Sequence, residues 1–414
     1  MARRVVVTGL GILSPNGNTV KEAWENTKNG VNGIGPLTKA GAEGLPIHFA
    51  GELKNLDVLD YLDKKEARRL DEYSQYGVIA GNQAMEDAGF TPGGEMPYDR
   101  YRFGVLVGSG IGGLDTMETE VTKLNAKGFR RVNPLLVPMM ISNMGSGYLA
   151  IKHDLRGYNT TVTTACASGT HSIGDAYHMI RDGYMDAMLA GGAESPIKML
   201  AISGFLGLHA VTTTDRLDRA SIPFDAERSG FVIAEGAGVI VLEEYEMAKK
   251  RGAHIYAEIA GYGATCDAYH MTAPQPEGAA LAKAMEVAME EAHVLPSEVS
   301  YINVHGTSTE LNEKTETLAI KKAFGEEAYK IPLSSTKSMT GHSLGAAGGI
   351  EAVYSVMAMQ DDFIPPTINY QVPDPECDLD CTPNIGKKAD VDVVMSDNLG
   401  FGGHNAVLLF KKAE

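Results

Sequence analysis

Cysteine is scarce in this 414-residue chain, which has only Cys166, Cys266, Cys377 and Cys381. Four thiols cannot staple a fold of this size, so a disulfide scaffold is excluded and a reducing, cytoplasmic compartment is expected. Tryptophan occurs once and aromatic residues make up 7%, which leaves the core to aliphatic side chains. No apolar stretch approaches the ~18 residues a membrane span needs, so membrane insertion is not expected. The opening Met1-Ala-Arg-Arg-Val-Val-Val-Thr-Gly has too short an apolar run for a signal peptide and reads as a first buried strand. Basic residues are outnumbered, 36 against 53 acidic ones, for a net charge of −17. That balance argues against nucleic-acid binding, and an acidic partner would need a local basic patch.

What is present is the composition of a folded α/β protein. Hydrophobic residues make up 44% and charged residues 21%, and a chain this long buries roughly 75% of its unfolded surface without metal or disulfide. Strand and helix patterns alternate along it. The pattern runs twice. Strands at Val5–Gly11, Phe103–Gly110, Thr161–Cys166, Ala187–Gly192 and Gly238–Glu244 are answered by strands from His254, Tyr301, Ile331, Val393 and Asn405. The expectation is two similar halves, residues 1–252 and 253–414, packed as one unit. Two helices are clear: Ile173, Ala176, Tyr177 and Ile180 recur at helical spacing before a stop at Gly183, and Ile350, Val353, Tyr354 and Met357 do the same.

Three motifs compete for the chemistry. Gly108-Ser-Gly-Ile-Gly-Gly113 fits a dinucleotide fingerprint but lacks the acidic residue that should end the next strand, so a nucleotide site is disfavoured. Gly341-His-Ser-Leu-Gly345 fits the serine-hydrolase elbow, yet Thr336–Thr340 separates it from its strand and only His404 lies downstream as a base. Thr164-Ala-Cys166-Ala-Ser-Gly169 places a thiol where a strand enters a helix, whose free N–H groups favour a thiolate. The other three cysteines read as ordinary buried residues, since Cys377 and Cys381 have no second ligand pair for zinc; no metal site is expected.

Four separated segments, Thr-Ala-Cys166-Ala-Ser-Gly, Val-His305-Gly-Thr-Ser-Thr, Ser-Thr-Lys337-Ser-Met-Thr-Gly-His342 and Gly400-Phe-Gly-Gly-His-Asn405, resemble in type and order those of the β-ketoacyl-acyl-carrier-protein synthases. The resemblance spans essentially the whole chain. It implies the thiolase fold, two duplicated α/β halves in a five-layer α/β/α/β/α arrangement, and a homodimer. It also implies a reaction: Cys166 takes an acyl chain from acyl-carrier protein as a thioester, then a malonyl group on the same kind of carrier loses CO₂ and condenses with it. The N–H groups of Cys166 and Phe401 would form the oxyanion hole, and neutral His305 and His342 would donate to the enolate. Lys337 would assist decarboxylation or, as favoured here, organise the site by pairing with Glu351.

By the same resemblance Thr272, Thr307 and Thr309 would hold the pantetheine arm that carries the substrates. Ile111 and Phe205 would line the acyl pocket with Phe401 as gate, and no tightly bound cofactor is implied. Lys64, Lys65, Arg68, Arg69, Arg130 and Arg131 form two basic clusters suited to an acidic carrier. Leu208-His209 stands where relatives place an arginine, and Ser396-Asp-Asn-Leu departs from the commoner Ser-Asn-Ser-Phe. A thiolase shares the fold but needs a second cysteine late in the chain. A chain-length subunit lacks the nucleophile that Cys166 supplies.

Overall fold

A computed structural model describes residues 3–39 and 44–413. Its centre is set by strands whose interiors are mostly apolar or small, as suits strands covered on both faces. In the first half these are Val5–Leu13 (β1), Phe103–Gly108 (β2), the two-residue Asn159–Thr160 (β3), Ala187–Glu194 (β4) and Gly236–Glu244 (β5). Glu72–Asp87 (α1) and Ser168–Arg181 (α2) belong with them. The second half supplies Ala257–Cys266 (β6), Tyr301–Asn303 (β7), Leu333–Ser334 (β8), Val393–Gly400 (β9) and His404–Lys411 (β10). Its helices are Ala279–Ala292 (α3) and Ala347–Asp361 (α4).

The ten strands form one continuous sheet in the order β8-β7-β9-β10-β6-β1-β5-β4-β2-β3. Each half repeats one pattern: β2 lies parallel to β3 and β4, and β4 antiparallel to β5, just as β7 lies parallel to β8 and β9, and β9 antiparallel to β10. The halves meet where Val5, Val6 and Val7 of β1 pair with Ile259, Glu258 and Ala257 of β6. The sheet folds around α2 and α4, each of which touches strands of both halves, while α1 covers the outer face of the first half and α3 that of the second. The result is five layers, helix, sheet, helix pair, sheet, helix. Ile173, Tyr177, Ile180, Ile350, Val353 and Tyr354 fill the middle layer as their helical spacing predicted.

The strand expected at 161–166 is shorter than its pattern suggested. Pairing ends at Thr160, and Ala165–Ala167 already forms a tight 3₁₀ turn into α2. The Thr161 hydroxyl bonds to the Val107 carbonyl at 3.0 Å, so side chain replaces ladder where the chain leaves the sheet.

Close packing of the middle layer rests on facing glycines. A Cβ on Gly238 of β5 would lie 2.1 Å from the Gly349 carbonyl carbon of α4. Gly238→Ala is therefore expected to cost about 3 kcal/mol or more through overpacking, read as a lowered thermal midpoint. A midpoint equal to the parent's would show that α4 does not press on β5 this closely.

Candidate active site

The nucleophile turn is built by a backbone that most residues avoid. Ala165 sits in the left-handed region at φ +51, and Ser168 locks the turn by accepting from Thr164 N at 2.9 Å and donating to the Ala165 carbonyl at 2.7 Å. Cys166, which follows, is 9% exposed and borders a cavity of about 360 Å³ with an apolar cluster including Phe231, Ile202 and Leu344 behind it. The N–H groups of Cys166 itself and of Phe401 bear on its sulfur, and Lys337 adds positive charge nearby. Burial outweighs all three and pushes the thiol up to about 12. The thiolate expected from the helix start is therefore not the resting state: the sulfur is a thiol.

His305 follows β7 and His342 follows the short helix Lys337–Thr340. Both border the same cavity as Cys166, 3% and 2% exposed. Their rings lie 5.3 Å apart at 88°, and Phe231 meets His342 edge-on at 5.2 Å. Burial first, then the charge of Lys337, holds both imidazoles well below the usual histidine range, so both are neutral at pH 7. The backbone of each is fixed. His342 N donates to Val232 O at 2.7 Å, and His305 N donates to Glu316 at 2.6 Å and Asp397 at 3.1 Å.

Lys337 is buried and ion-paired with Glu351, whose second oxygen accepts from Asn398 Nδ2 at 2.7 Å. Thr170 of α2 donates to Asn398 Oδ1 at 2.9 Å. The lysine's charge is thus anchored, and it acts on the two histidines and the cysteine through space.

The two disfavoured motifs meet at one buried acid. Glu194, at the end of β4, accepts from Ser109 Oγ at 2.8 Å and from the N–H groups of Gly110, Ile111 and Gly345 at 2.6, 3.2 and 3.0 Å. The Gly-rich turn of 108–113 wraps a carboxylate of this chain instead of a phosphate. In Gly341–Gly345 the strained residue is Leu344, at φ +48, and not Ser343, so no serine is presented as in a hydrolase elbow. The turn Leu344–Ala346 entering α4 repeats the turn Ala165–Ala167 entering α2, with Gly345 standing where Cys166 stands.

Phe205, Thr272, Thr307, Thr309 and Phe401 border the cavity, with the Thr307 and Thr309 hydroxyls 3.0 Å apart and the Phe205 and Phe401 rings 6.4 Å apart. Ile111 does not: it is 37% exposed and lies outside the cavity lining. Lys64, Lys65, Arg68, Arg69, Arg130 and Arg131 are exposed, and none makes an ion pair among the described residues. Sequence reasoning missed Phe231, Glu194 and Glu316, and singled out the segment of Asp397 without giving that residue a role. Glu194 carried a signal, as a lone acid ending an otherwise apolar strand; Glu316 lay hidden in a charged helical stretch. No group of acidic, histidine and cysteine side chains among the described residues is arranged to hold a metal ion.

Residues 2–248 match the β-ketoacyl synthase N-terminal domain and residues 256–371 the β-ketoacyl synthase C-terminal domain. The chain is 50% identical over 412 residues to 3-oxoacyl-[acyl-carrier-protein] synthase 2 of Staphylococcus aureus strain COL, covering 100% of this chain and 99% of the relative. Its counterpart in Synechocystis is 49% identical over 411 residues, covering 99% of this chain and 98% of the relative. Among solved structures, a ketosynthase complex with its type II polyketide acyl-carrier protein superposes with a TM-score of 0.92 at 36% identity, and a β-ketoacyl synthase from Burkholderia phymatum with 0.90 at 34%; both cover 100% of each chain.

Because burial sets the thiol, alkylation of Cys166 by iodoacetamide is expected to quicken with pH up to about pH 9 without levelling, followed on its own peptide by mass spectrometry to separate it from exposed Cys266. A plateau near neutral pH would show a thiolate already formed.

Proposed function

The chain belongs to the β-ketoacyl synthase family and is a condensing enzyme of fatty acid elongation that works with acyl-carrier protein; we propose that its chemistry divides between Cys166 and the pair His305 and His342. The observation that carries this reading is the convergence of those three side chains on one cavity, with two backbone N–H groups on the sulfur.

In the first stage Cys166 attacks the thioester of the acyl-loaded carrier. The C–S bond to the carrier breaks, a C–S bond to Cys166 forms, and the thiol proton leaves with the carrier's sulfur. The N–H groups of Cys166 and Phe401 receive the carbonyl oxygen as it gains charge, a role in which each donor is worth about 10²–10³ in rate. The acyl tail runs past Phe205 into the apolar cluster behind the sulfur, with Phe401 as its gate. Ile111, exposed in a single chain, closes that pocket in a homodimer.

In the second stage the malonyl thioester enters with its carbonyl oxygen between the two imidazoles. Each neutral ring, with its hydrogen on Nε2, donates to that oxygen. As the C–C bond to the carboxylate breaks, CO₂ departs and the electron pair is held as an enolate. Its carbon attacks the acyl-Cys166 carbonyl, the C–S bond breaks, and the β-ketoacyl chain leaves on the carrier while the Cys166 thiolate takes a proton from solvent water. Neutrality suits this task, because a charged imidazolium would protonate the enolate before it could condense. Lys337, committed to Glu351, adds to burial in keeping both rings uncharged and serves as an organising charge instead of a base.

Thr272, Thr307 and Thr309 hold the two amides of the pantetheine arm, and the two exposed basic clusters receive the acidic carrier. The reading needs no resident cofactor. It places the nucleophile in a half of residues 1–252 and the histidines and lysine in a half of residues 253–414. No helix among the described residues is long and apolar enough to cross a membrane, and a cytoplasmic location is proposed with the carrier pathway.

Cys166→Ala is expected to abolish acyl loading, seen by mass spectrometry after incubation with acyl-carrier protein. His305→Ala and His342→Ala are each expected to lower CO₂ release from malonyl-carrier protein by about 10²-fold while loading falls far less. Parent-like CO₂ release in both histidine variants would sink the assignment.

A further inference from the structure

Glu194 is fully buried at the end of β4, and the reaction just described gives it no part. Its two oxygens are divided between two turns far apart in sequence. Oε1 accepts from Ser109 Oγ at 2.8 Å and Ile111 N at 3.2 Å, while Oε2 accepts from Gly110 N at 2.6 Å and Gly345 N at 3.0 Å. Gly112 N donates to the Ser109 hydroxyl at 3.0 Å, which turns its hydrogen towards the acid. Burial raises this carboxyl, but a hydrogen on either oxygen would displace one of these donors, so the group is held as a carboxylate.

Both turns adjoin the space behind Cys166. Leu344, one residue before Gly345, stands in the left-handed region at φ +48, lines the cavity and belongs to the apolar cluster with Cys166, Ile202 and Phe231. A leucine in that region costs energy and stays only where its surroundings hold it. A Cβ on Gly345 would lie 2.6 Å from Glu194 Oε2 and 2.4 Å from Gly110 N; one on Gly110 would lie 2.8 Å from the same oxygen and 3.3 Å from Ala165 O. The carboxylate thus fills the gap between the two turns, beside the turn that presents Cys166. Ile197 and Ile202, which follow Glu194 along the chain, complete the same cluster.

We propose that Glu194 is a specificity-determining positioning residue: by pinning the turns 109–112 and 344–346 to each other it fixes the wall against which the acyl chain packs, and so sets how sharply chain length is discriminated. This rests on the reading above in which the acyl tail enters that cluster. A wall held still lets each added methylene find close contacts, whereas a wall free to shift spreads the same methylenes over many poses. Glutamine has almost the volume of glutamate, yet its NH₂ must face at least one of the three N–H groups that Glu194 accepts from, so the clamp opens on one side.

The test is the rate of acyl transfer to Cys166 from carrier proteins bearing saturated chains from butyryl to palmitoyl, below saturation, with the adduct followed by mass spectrometry. In the parent each added methylene is expected to raise the rate, by up to about fourfold, over the lengths the cavity accommodates. In Glu194→Gln the increment is expected to fall to about twofold or less per methylene. The increment is the informative quantity, because a smaller fraction of folded enzyme, or a changed thiol, lowers every chain length by one common factor. Ser109→Ala keeps the acid and removes one of its donors; it is expected to flatten the series in the same direction to a lesser degree, and it answers the question even where Glu194→Gln folds poorly. A series displaced by a common factor, with the parent's increment kept in every variant that folds, overturns the proposal alone and leaves Glu194 a scaffold residue. A parent whose loading rate does not depend on chain length overturns the reading of the acyl pocket itself, and the proposal with it.

Discussion

Two helices start at the middle of this molecule with the same 3₁₀ turn, and the fate of one N–H group at each start separates scaffold from chemistry. At the head of α4 the N–H of Gly345 is taken by Glu194, which ends β4. At the head of α2 the corresponding N–H belongs to Cys166, and the strand that ends beside it, β9, closes with Gly400. A Cβ on Gly400 would lie 2.4 Å from Thr164 O and 3.4 Å from Cys166 N. Duplication delivers the same backbone twice, and the side chain present at one strand end is missing at the other. The empty position is where an oxyanion can be held.

Burial does the remaining electrostatic work. It holds the two imidazoles neutral and the sulfur protonated, so the resting site carries little charge beyond the Lys337–Glu351 pair. A site of that kind responds strongly to charge that develops during reaction, because little solvent is there to screen it. The anchoring of Lys337 matters for the same reason: a free ammonium would follow the substrate, whereas a fixed one biases every nearby group in the same direction at each stage.

Much of this was legible in the sequence. The twofold run of strand patterns shows the duplicated architecture, and the apolar spacing after Cys166 and His342 places both central helices. His305, His342, Lys337 and Phe401 come together around Cys166 as their flanking motifs implied. What escaped has a physical reason in each case. The thiol's protonation state depends on total burial, which no local pattern encodes, whereas a helix start is local and suggested the opposite. Glu194 acts through backbone N–H groups far away in the chain, Glu316 through those of His305 and Gly306 on a neighbouring loop, and a carboxylate whose partners only the fold brings to it looks like any other acid. The Gly-rich run at 108–113 misled because a turn that cradles an anion has one appearance whether the anion is a ligand or a glutamate of the same chain.

The loop that carries Phe401 is tied to the cavity rim, with Gly402 N donating to Met271 O at 2.7 Å and Asp267 N to Gly403 O at 2.8 Å. Its ring borders the cavity and its N–H bears on the Cys166 sulfur, so a single peptide segment serves both wall and site. Under the gating role proposed above, swinging the ring aside would take the amide out of place. Admission of a new chain and activation of one already inside would then belong to alternate postures of the same few atoms, as in a turnstile, and the loop would impose an order on events that no separate latch has to enforce.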